Sequence, residues 1–471
     1  MSMRAGVTTL HDNPRVSGFE IEAASFRDPS GFVFRQDGQL YRQINPRYRE
    51  EYDRLMDSGL ASDLIAKGWL IPHEEVALAR PGAYRVIRPE PVPFISYPYE
   101  WSFSQLKDAA MLTLKIQRRA LKSGLTLKDA SAYNVQFWRG RPVFIDTLSF
   151  DVYEEGRPWV AYRQFCQHFL APLALMAHTD VRLNQLSRVY IDGVPLDLAS
   201  RLLPWRTRLR PSLAVHLHVH ARTQKKYAGQ GAQAAASRPL SMRALVGLLE
   251  NLGSVIQGLS WRPAGTEWAD YYDNTNYSTE ALSEKERLVA GLLDTIRPGS
   301  VWDLGANTGK FSRLASTRQI QTVSFDLDPA AVEKHYLDVR HRQDAHVLPL
   351  LLDLSNPSPA LGWANIERQS VAARGPVDAV LALALIHHLA IGNNIPLGNV
   401  AEFFATLTRD LIIEFVPKAD SQVQRLLVSR EDIFDDYTES GFEDAFARRF
   451  SVEQKLAING TSRVLYHYRR R

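Results

Sequence analysis

The chain has 471 residues, of which 45% are apolar and 23% charged, with a formal net charge of +4 and a single cysteine. This length exceeds one ordinary domain, and the composition is that of a globular protein. Cys166 alone excludes intramolecular disulfides and cysteine-only metal or iron–sulfur clusters. No apolar run has the length of a bilayer span or a signal peptide, so a cytoplasmic protein with no membrane partner is expected. The basic residues form no long run, and nucleic acid is not indicated as a partner.

Residues 1–27 read as irregular. Gly31–Arg35 and Gln39–Ile44 flank Gln36-Asp37-Gly38, the signal for a hairpin through an Asp-Gly turn. Helices are expected over Tyr48–Ser58 and Ala61–Lys67, and Pro89–Pro98 is proline-punctuated and extended. Ser102-Phe103-Ser104-Gln105 is a capping box, after which Phe103, Leu106, Ala110, Leu114 and Leu121 recur on one helical face.

A polar loop follows. Asp129 and Asn134 stand in Asp-x-x-x-x-Asn spacing, and Pro142-Val143-Phe144-Ile145 ends in Asp146. This resembles the catalytic loop and metal-binding aspartate of protein-kinase-like and small-molecule phosphotransferases. The resemblance implies that Asp129 orients an acceptor while Asn134 and Asp146 hold magnesium. It is incomplete: Asp146 precedes Thr147-Leu148, Lys128 stands where that loop has arginine, and no glycine-rich phosphate loop is present. No strand lysine paired with a helix glutamate is evident, and Arg42 is a candidate substitute. The favoured reading is a degenerate kinase-like or unrelated α+β domain that docks substrate.

Trp159–Leu173 reads as packed helices. His216, His218 and His220 alternate, but a helix would bring only two onto one face and no carboxylate completes a metal triad, so no metal site is expected. Tyr227–Arg238, rich in Gly, Ala and Gln, reads as a linker, and Leu240–Leu259 as a helix. Ser283-Glu284-Lys285-Glu286 reads as the cap of a helix that buries Leu288, Val289, Leu292, Leu293 and Ile296.

That helix leads into Val301-Trp302-Asp303-Leu304-Gly305-Ala306-Asn307-Thr308-Gly309-Lys310, a strand, a glycine-spaced turn and the start of a helix. An acid at Asp303 would repel a pyrophosphate and attract a cationic amino group. Thr322–Asp326, Leu350–Leu354, Val377–Leu383 and Leu411–Val416 read as further strands, with Pro349 at the start of the third. Asp326 and Asp353 stand at successive strand ends.

The stretch resembles the first motif of class I S-adenosylmethionine-dependent methyltransferases, with Asn307 at its middle glycine. That resemblance implies S-adenosyl-L-methionine as cofactor and a binding set of Asp303, Gly305, Asn307, Gly309, Asp326, Asp353 and Leu354. In it Asp326 meets the ribose hydroxyls and Asp353 the adenine amino group. His387 and His388, after the fourth strand, are the candidate general bases, or else one of them packs beneath a loop. More narrowly, Ile386–Leu389 and Leu411–Lys418 are similar to a bacterial group that includes the nodulation protein NoeA.

The expected fold is α/β, a doubly wound Rossmann-like methyltransferase sheet at the C-terminus, with an N-terminal α+β domain resembling a degenerate kinase fold. The expected division is an irregular 1–27, an α+β substrate-side domain over 28–225, linker and helix over 226–264, and the methyltransferase domain over 265–471. The acceptor is expected to be a small molecule rather than a macromolecule, with oligomeric state open. The alternatives are phosphotransfer through Asp129, Asn134 and Asp146, or a non-catalytic scaffold.

Overall fold

The computed structural model describes residues 18–219, 240–263, 277–428 and 430–471. The linker candidate Tyr227–Arg238 and His220 lie outside them. The first sheet has five strands in the order β1-β2-β3-β5-β4, with β1 Phe19–Ile21, β2 Gly31–Gln36, β3 Gln39–Ile44, β4 His73–Glu75 and β5 Arg85–Pro89. The β2–β3 hairpin turns at Asp37 and Gly38, both at positive φ, as an Asp-Gly turn requires. Phe19–Ile21 is not irregular: it pairs antiparallel with β2 across Gln36, Arg35 and Phe34. Helices α1 (Arg49–Asp57) and α2 (Leu60–Ala66) follow β3.

Helix α3, Phe103–Lys122, begins at the expected capping box, in which the Ser102 side chain accepts from the Gln105 amide and Gln105 reaches back to Ser102. It buries Leu106, Ala109, Ala110, Leu114, Ile116 and Leu121. Two ribbons follow, β6 (Leu125–Leu127) with β9 (Phe150–Val152), and β7 (Val135–Trp138) with β8 (Arg141–Phe144). Asp129 and Asn134 therefore sit between β6 and β7, and Asp146 between β8 and β9.

The C-terminal sheet has seven strands: β10 Ser300–Leu304, β11 Gln321–Asp326, β12 Val347–Leu351, β13 Val377–Ala382, β14 Thr408–Phe415, β15 Phe450–Ala457 and β16 Val464–Arg470. Their order is β12-β11-β10-β13-β14-β16-β15. The first five run parallel, and β16 inserts antiparallel between β14 and β15. This is the doubly wound α/β methyltransferase sheet expected from the sequence. The strand order reverses between β10 and β13, and the cleft beyond their carboxyl ends is where such a sheet opens to a ligand.

Two sequence expectations need correction. The third strand starts earlier, so Pro349 lies inside β12. It is tolerated because β12 is the edge strand, and Gln105 Nε2 donates to the Pro349 carbonyl at 3.0 Å. The helix before β10 begins at Thr279, capped by Ser278, and Ser283–Glu286 lies inside it. Two capping signatures stand close together here, and the burial of Ala281 and Lys285 favours the earlier one.

The two halves share one apolar core, with Phe94 packed edge-on against Trp302 and Phe325 and Phe137 against Tyr336. At this junction Arg374 donates to Glu100 at 2.9 Å, both side chains almost wholly buried, and lies over the rings of Phe94 and Tyr97. The Ser104 amide and hydroxyl both donate to Glu333.

Candidate functional site

The turn after β10 is held by β11: the amides of Gly305 and Ala306 both donate to the Phe325 carbonyl at 2.9 Å. Gly305, Asn307 and Gly309 all have positive φ. Asn307 sits at φ 51°, a conformation that asparagine tolerates better than other side-chain-bearing residues, so it can replace a glycine there. The two glycines have different reasons. Gly305 lines the cavity beyond the strand ends, whereas a Cβ on Gly309 would come within 2.0 Å of the His335 ring. Gly309 permits close packing of the helix Pro329–Arg342 rather than approach to a ligand.

That cavity has a volume of about 320 Å³ and is lined by Asp303, Gly305, Asn307, Asp326, Asp353 and Leu354 among others. Six of the seven expected cofactor residues therefore line one cavity, and Gly309 does not. A smaller cavity of about 120 Å³ lies at the junction of the halves, against Phe94, Trp302 and Arg374. It collects none of the expected site residues.

Asp303 is buried, and its Oδ2 accepts from the Ser312 hydroxyl at 2.6 Å; Ser312 in turn accepts from Ser324. Asp326 accepts from the amides of Asn307 and Asp328 at 2.7 and 2.8 Å. Burial pushes both carboxyls up to about 6, and for Asp303 the neighbouring Asp326 adds to it. Asp353, just past β12, accepts from the Ser355 amide and hydroxyl. Three carboxylates at successive strand ends thus border one concave space, an arrangement suited to hydroxyl, amino and ammonium donors.

The structure separates the two candidate histidines. His388 lines the cavity, while His387 is buried and does not line it, with Nδ1 lacking a hydrogen-bond partner. Their rings are 4.1 Å apart. Burial lowers both, His388 to about 4 and His387 well below the ordinary histidine value. A neutral imidazole at His388 can accept or donate a hydrogen bond, but at neutral pH it is a weak base.

Sequence reasoning missed the buried charge network beside this cavity. Lys285 donates to Glu414 at 2.6 Å, Arg463 donates to Glu414 at 3.3 Å and to Asp420 at 2.8 Å, and the Ala384 amide donates to Glu414 at 2.8 Å. Tyr277 donates its hydroxyl to the same carboxylate. Burial alone would raise Glu414, but the two cations hold it down at about 2. Tyr277 and Lys285 also line the cavity. The signal was present: Glu414 interrupts Leu411-Ile412-Ile413 and Phe415-Val416, and Lys285 falls on the apolar stripe with Ala281 and Val289.

The N-terminal polar loop is closed by the chain itself. Asp146 forms an ion pair with Arg42 from β3 and accepts from the Leu148 amide and the Ser149 hydroxyl. Burial would raise its carboxyl, yet Arg42 and Ser149 keep it below the ordinary value. Asn134 donates to Ser149 at 3.0 Å, Asp129 accepts from the Ser131 amide at 2.8 Å, and Lys128 lies over the Tyr48 ring. Burial raises Asp129. His216 bonds Tyr162 and Asn251, and His218 bonds Ser200 and Thr207, so both are satisfied inside the fold.

No family model matches the chain. It is 37% identical over 461 residues to nodulation protein NoeA of Rhizobium meliloti (strain 1021), covering 95% of this chain and 96% of that protein. Magnesium protoporphyrin IX methyltransferase (ChlM) from Synechocystis PCC 6803, solved with bound SAH, aligns over 43% of this chain and 93% of its own, with TM-score 0.31 and 15% identity. WbdD, solved with the kinase inhibitor LY294002, aligns over 42% of this chain and 43% of its own, with TM-score 0.30 and 13% identity. Scores this low decide nothing about the fold, which rests on the strand order.

Proposed function

The chain belongs to the family of nodulation protein NoeA, and from that premise we propose that it is an S-adenosylmethionine-dependent methyltransferase acting on a small-molecule acceptor. The observation that carries the reading is the set of three carboxylates, Asp303, Asp326 and Asp353, that line one cavity at the ends of β10, β11 and β12. The donor groups of the methyl donor fit these acceptors: an ammonium at Asp303, ribose hydroxyls at Asp326, an adenine amino group at Asp353. Bound there, S-adenosylmethionine supplies an electrophilic methyl group on a sulfonium.

The chain's task is then alignment of the acceptor for an in-line displacement. His388, Leu385, Leu389, Asn393 and Leu426 line the rest of the cavity and form the acceptor side. His388, with its pKa near 4, positions an acceptor hydroxyl or amine by hydrogen bonding and is not the principal proton acceptor at neutral pH. The buried Lys285–Glu414–Arg463 network fixes the floor on which Ala384 and Tyr277 sit.

The N-terminal half acts in this reading as a substrate-side body, with the domain division near residues 226–264. Phosphotransfer is disfavoured because Arg42 already meets the Asp146 charge that magnesium would have to meet. Isothermal titration of S-adenosylhomocysteine into the full chain tests the proposal. Micromolar binding that weakens in Asp326→Ala supports it, and undiminished binding in that variant removes Asp326 from the site.

A further inference from the structure

Between Asp197 and Glu250 the sequence holds nine Lys and Arg (Arg201, Arg206, Arg208, Arg210, Arg222, Lys225, Lys226, Arg238 and Arg243) and no Asp or Glu. The described part of this stretch is a built surface. A helix Leu196–Leu202 is followed by Leu203, Pro204 and the short turn Trp205–Leu209. The turn is pinned from below: Thr207 is buried, donates to the Pro204 carbonyl at 2.7 Å, and bonds His218 Nε2 at 2.9 Å, while His218 Nδ1 bonds Ser200. Leu203 and Leu213 face inward. What this anchoring leaves outside is Trp205 at 67% exposure and Leu209 at 70%, with Leu202 and Val215, interleaved with exposed Arg206, Arg208 and Arg210, while Arg201 pairs with Asp197.

We propose that this tryptophan–leucine–arginine turn is a peripheral docking surface for an anionic lipid bilayer. The sequence led us to expect no membrane partner, and no described helix is long and apolar enough to cross a bilayer. Lying on a bilayer is a different demand: it needs a cationic face for the headgroups and a few apolar side chains to enter the headgroup–acyl boundary. Tryptophan is suited to that boundary because its ring is apolar and its N–H is polar. Exposed aliphatic groups at Leu202, Leu209 and Val215 discriminate against nucleic acid, whose phosphates gain nothing from them and whose bases stack on aromatic planes. Charge complementarity favours an anionic lipid over a second copy of this chain, because two copies would bring two arginine faces together. The surface is independent of the methyltransferase reading.

The test is flotation of the full chain with phosphatidylcholine vesicles, with and without phosphatidylglycerol. Binding is expected only with the anionic lipid and falls as salt rises. Arg206→Gln with Arg208→Gln and Arg210→Gln should weaken it by about tenfold or more. Trp205→Ser with Leu209→Ser should do the same, with circular dichroism confirming the fold. Trp363→Ser, at an equally exposed tryptophan outside the stretch, is expected to bind as wild type. The proposal is overturned by absent binding to anionic vesicles, or by binding that both sets of substitutions leave intact. It is equally overturned if those substitutions abolish RNA binding or self-association while vesicle binding is absent.

Discussion

Each half of the molecule carries acidic side chains at or just beyond strand ends, and the two sets differ in who supplies the opposing charge. In the N-terminal half Asp146 faces Arg42 of the same chain, and burial is outweighed, so its carboxyl sits below the ordinary value. In the C-terminal half Asp303 and Asp326 border an open cavity, and burial pushes both up to about 6. A carboxylate neutralised internally is at rest. A pair raised by burial beside a cavity has no internal cation answering it to the same degree, which leaves it open to donor groups of a ligand. Two motif matches of similar appearance thus differ in the source of the counter-charge, and that difference is what the following measurements probe.

The comparison breaks most completely if the halves prove separable. Arg374 and Glu100 are paired with almost no exposure at the junction, so removing one partner strands a buried charge. Arg374→Met is expected to cost about 3–5 kcal/mol in global stability, read by denaturant unfolding with probes in both halves. Loss confined to one half would show that the shared core does not couple them.

The next effect concerns the cavity itself. Asp326→Ala should cost about 1.5–3 kcal/mol of S-adenosylhomocysteine affinity, because charge-assisted bonds to the ribose are lost. In the N-terminal half the corresponding change, Asp146→Asn, should leave that affinity within about twofold, a difference of less than 0.5 kcal/mol. Calorimetry on both variants sharpens the contrast, and equal losses would erase it.

A smaller, graded effect follows from the raised carboxyls. Between the unfolded value of 3.8 and about 6 the folded chain binds more protons at Asp303 and Asp326 than the unfolded chain does. Their contribution to stability accordingly falls as pH rises through that window. A cationic ligand reverses the sign, because it pairs with the ionised forms. Affinity for S-adenosylmethionine should be full above about pH 6 and should fall below it, by up to tenfold per pH unit for each proton displaced. Asp303→Asn should flatten the profile; an unchanged slope would mean that Asp303 does not titrate with binding.

The smallest expected effect is on the N-terminal loop. Magnesium–ATP should leave the unfolding temperature unchanged, since Arg42 occupies the electrostatic role of the metal. A stabilisation of several degrees that disappears in Asp146→Asn would restore the phosphotransferase reading.

Much of this was legible in the chain because its signals are local. The Asp-Gly hairpin, the Ser102 capping box, the apolar β13 and the glycine-spaced turn depend on backbone preferences and short-range hydrogen bonds, which the residue order alone specifies. So do the acids at successive strand ends, since a strand's direction and length set where its last side chain falls.

Three things were decided only by packing between distant segments. Gly309 is required by His335 on a later helix. His387 and His388 were equivalent in the sequence, and the sheet they follow buried one and turned the other to the cavity. Lys285 and Glu414 are 129 positions apart, and their pairing with Arg463 exists only once β14 and β16 lie side by side under the helix Thr279–Ile296. The energy of a buried charge depends on which opposite charge arrives within a few ångströms of it, and residue order determines that only through the completed fold.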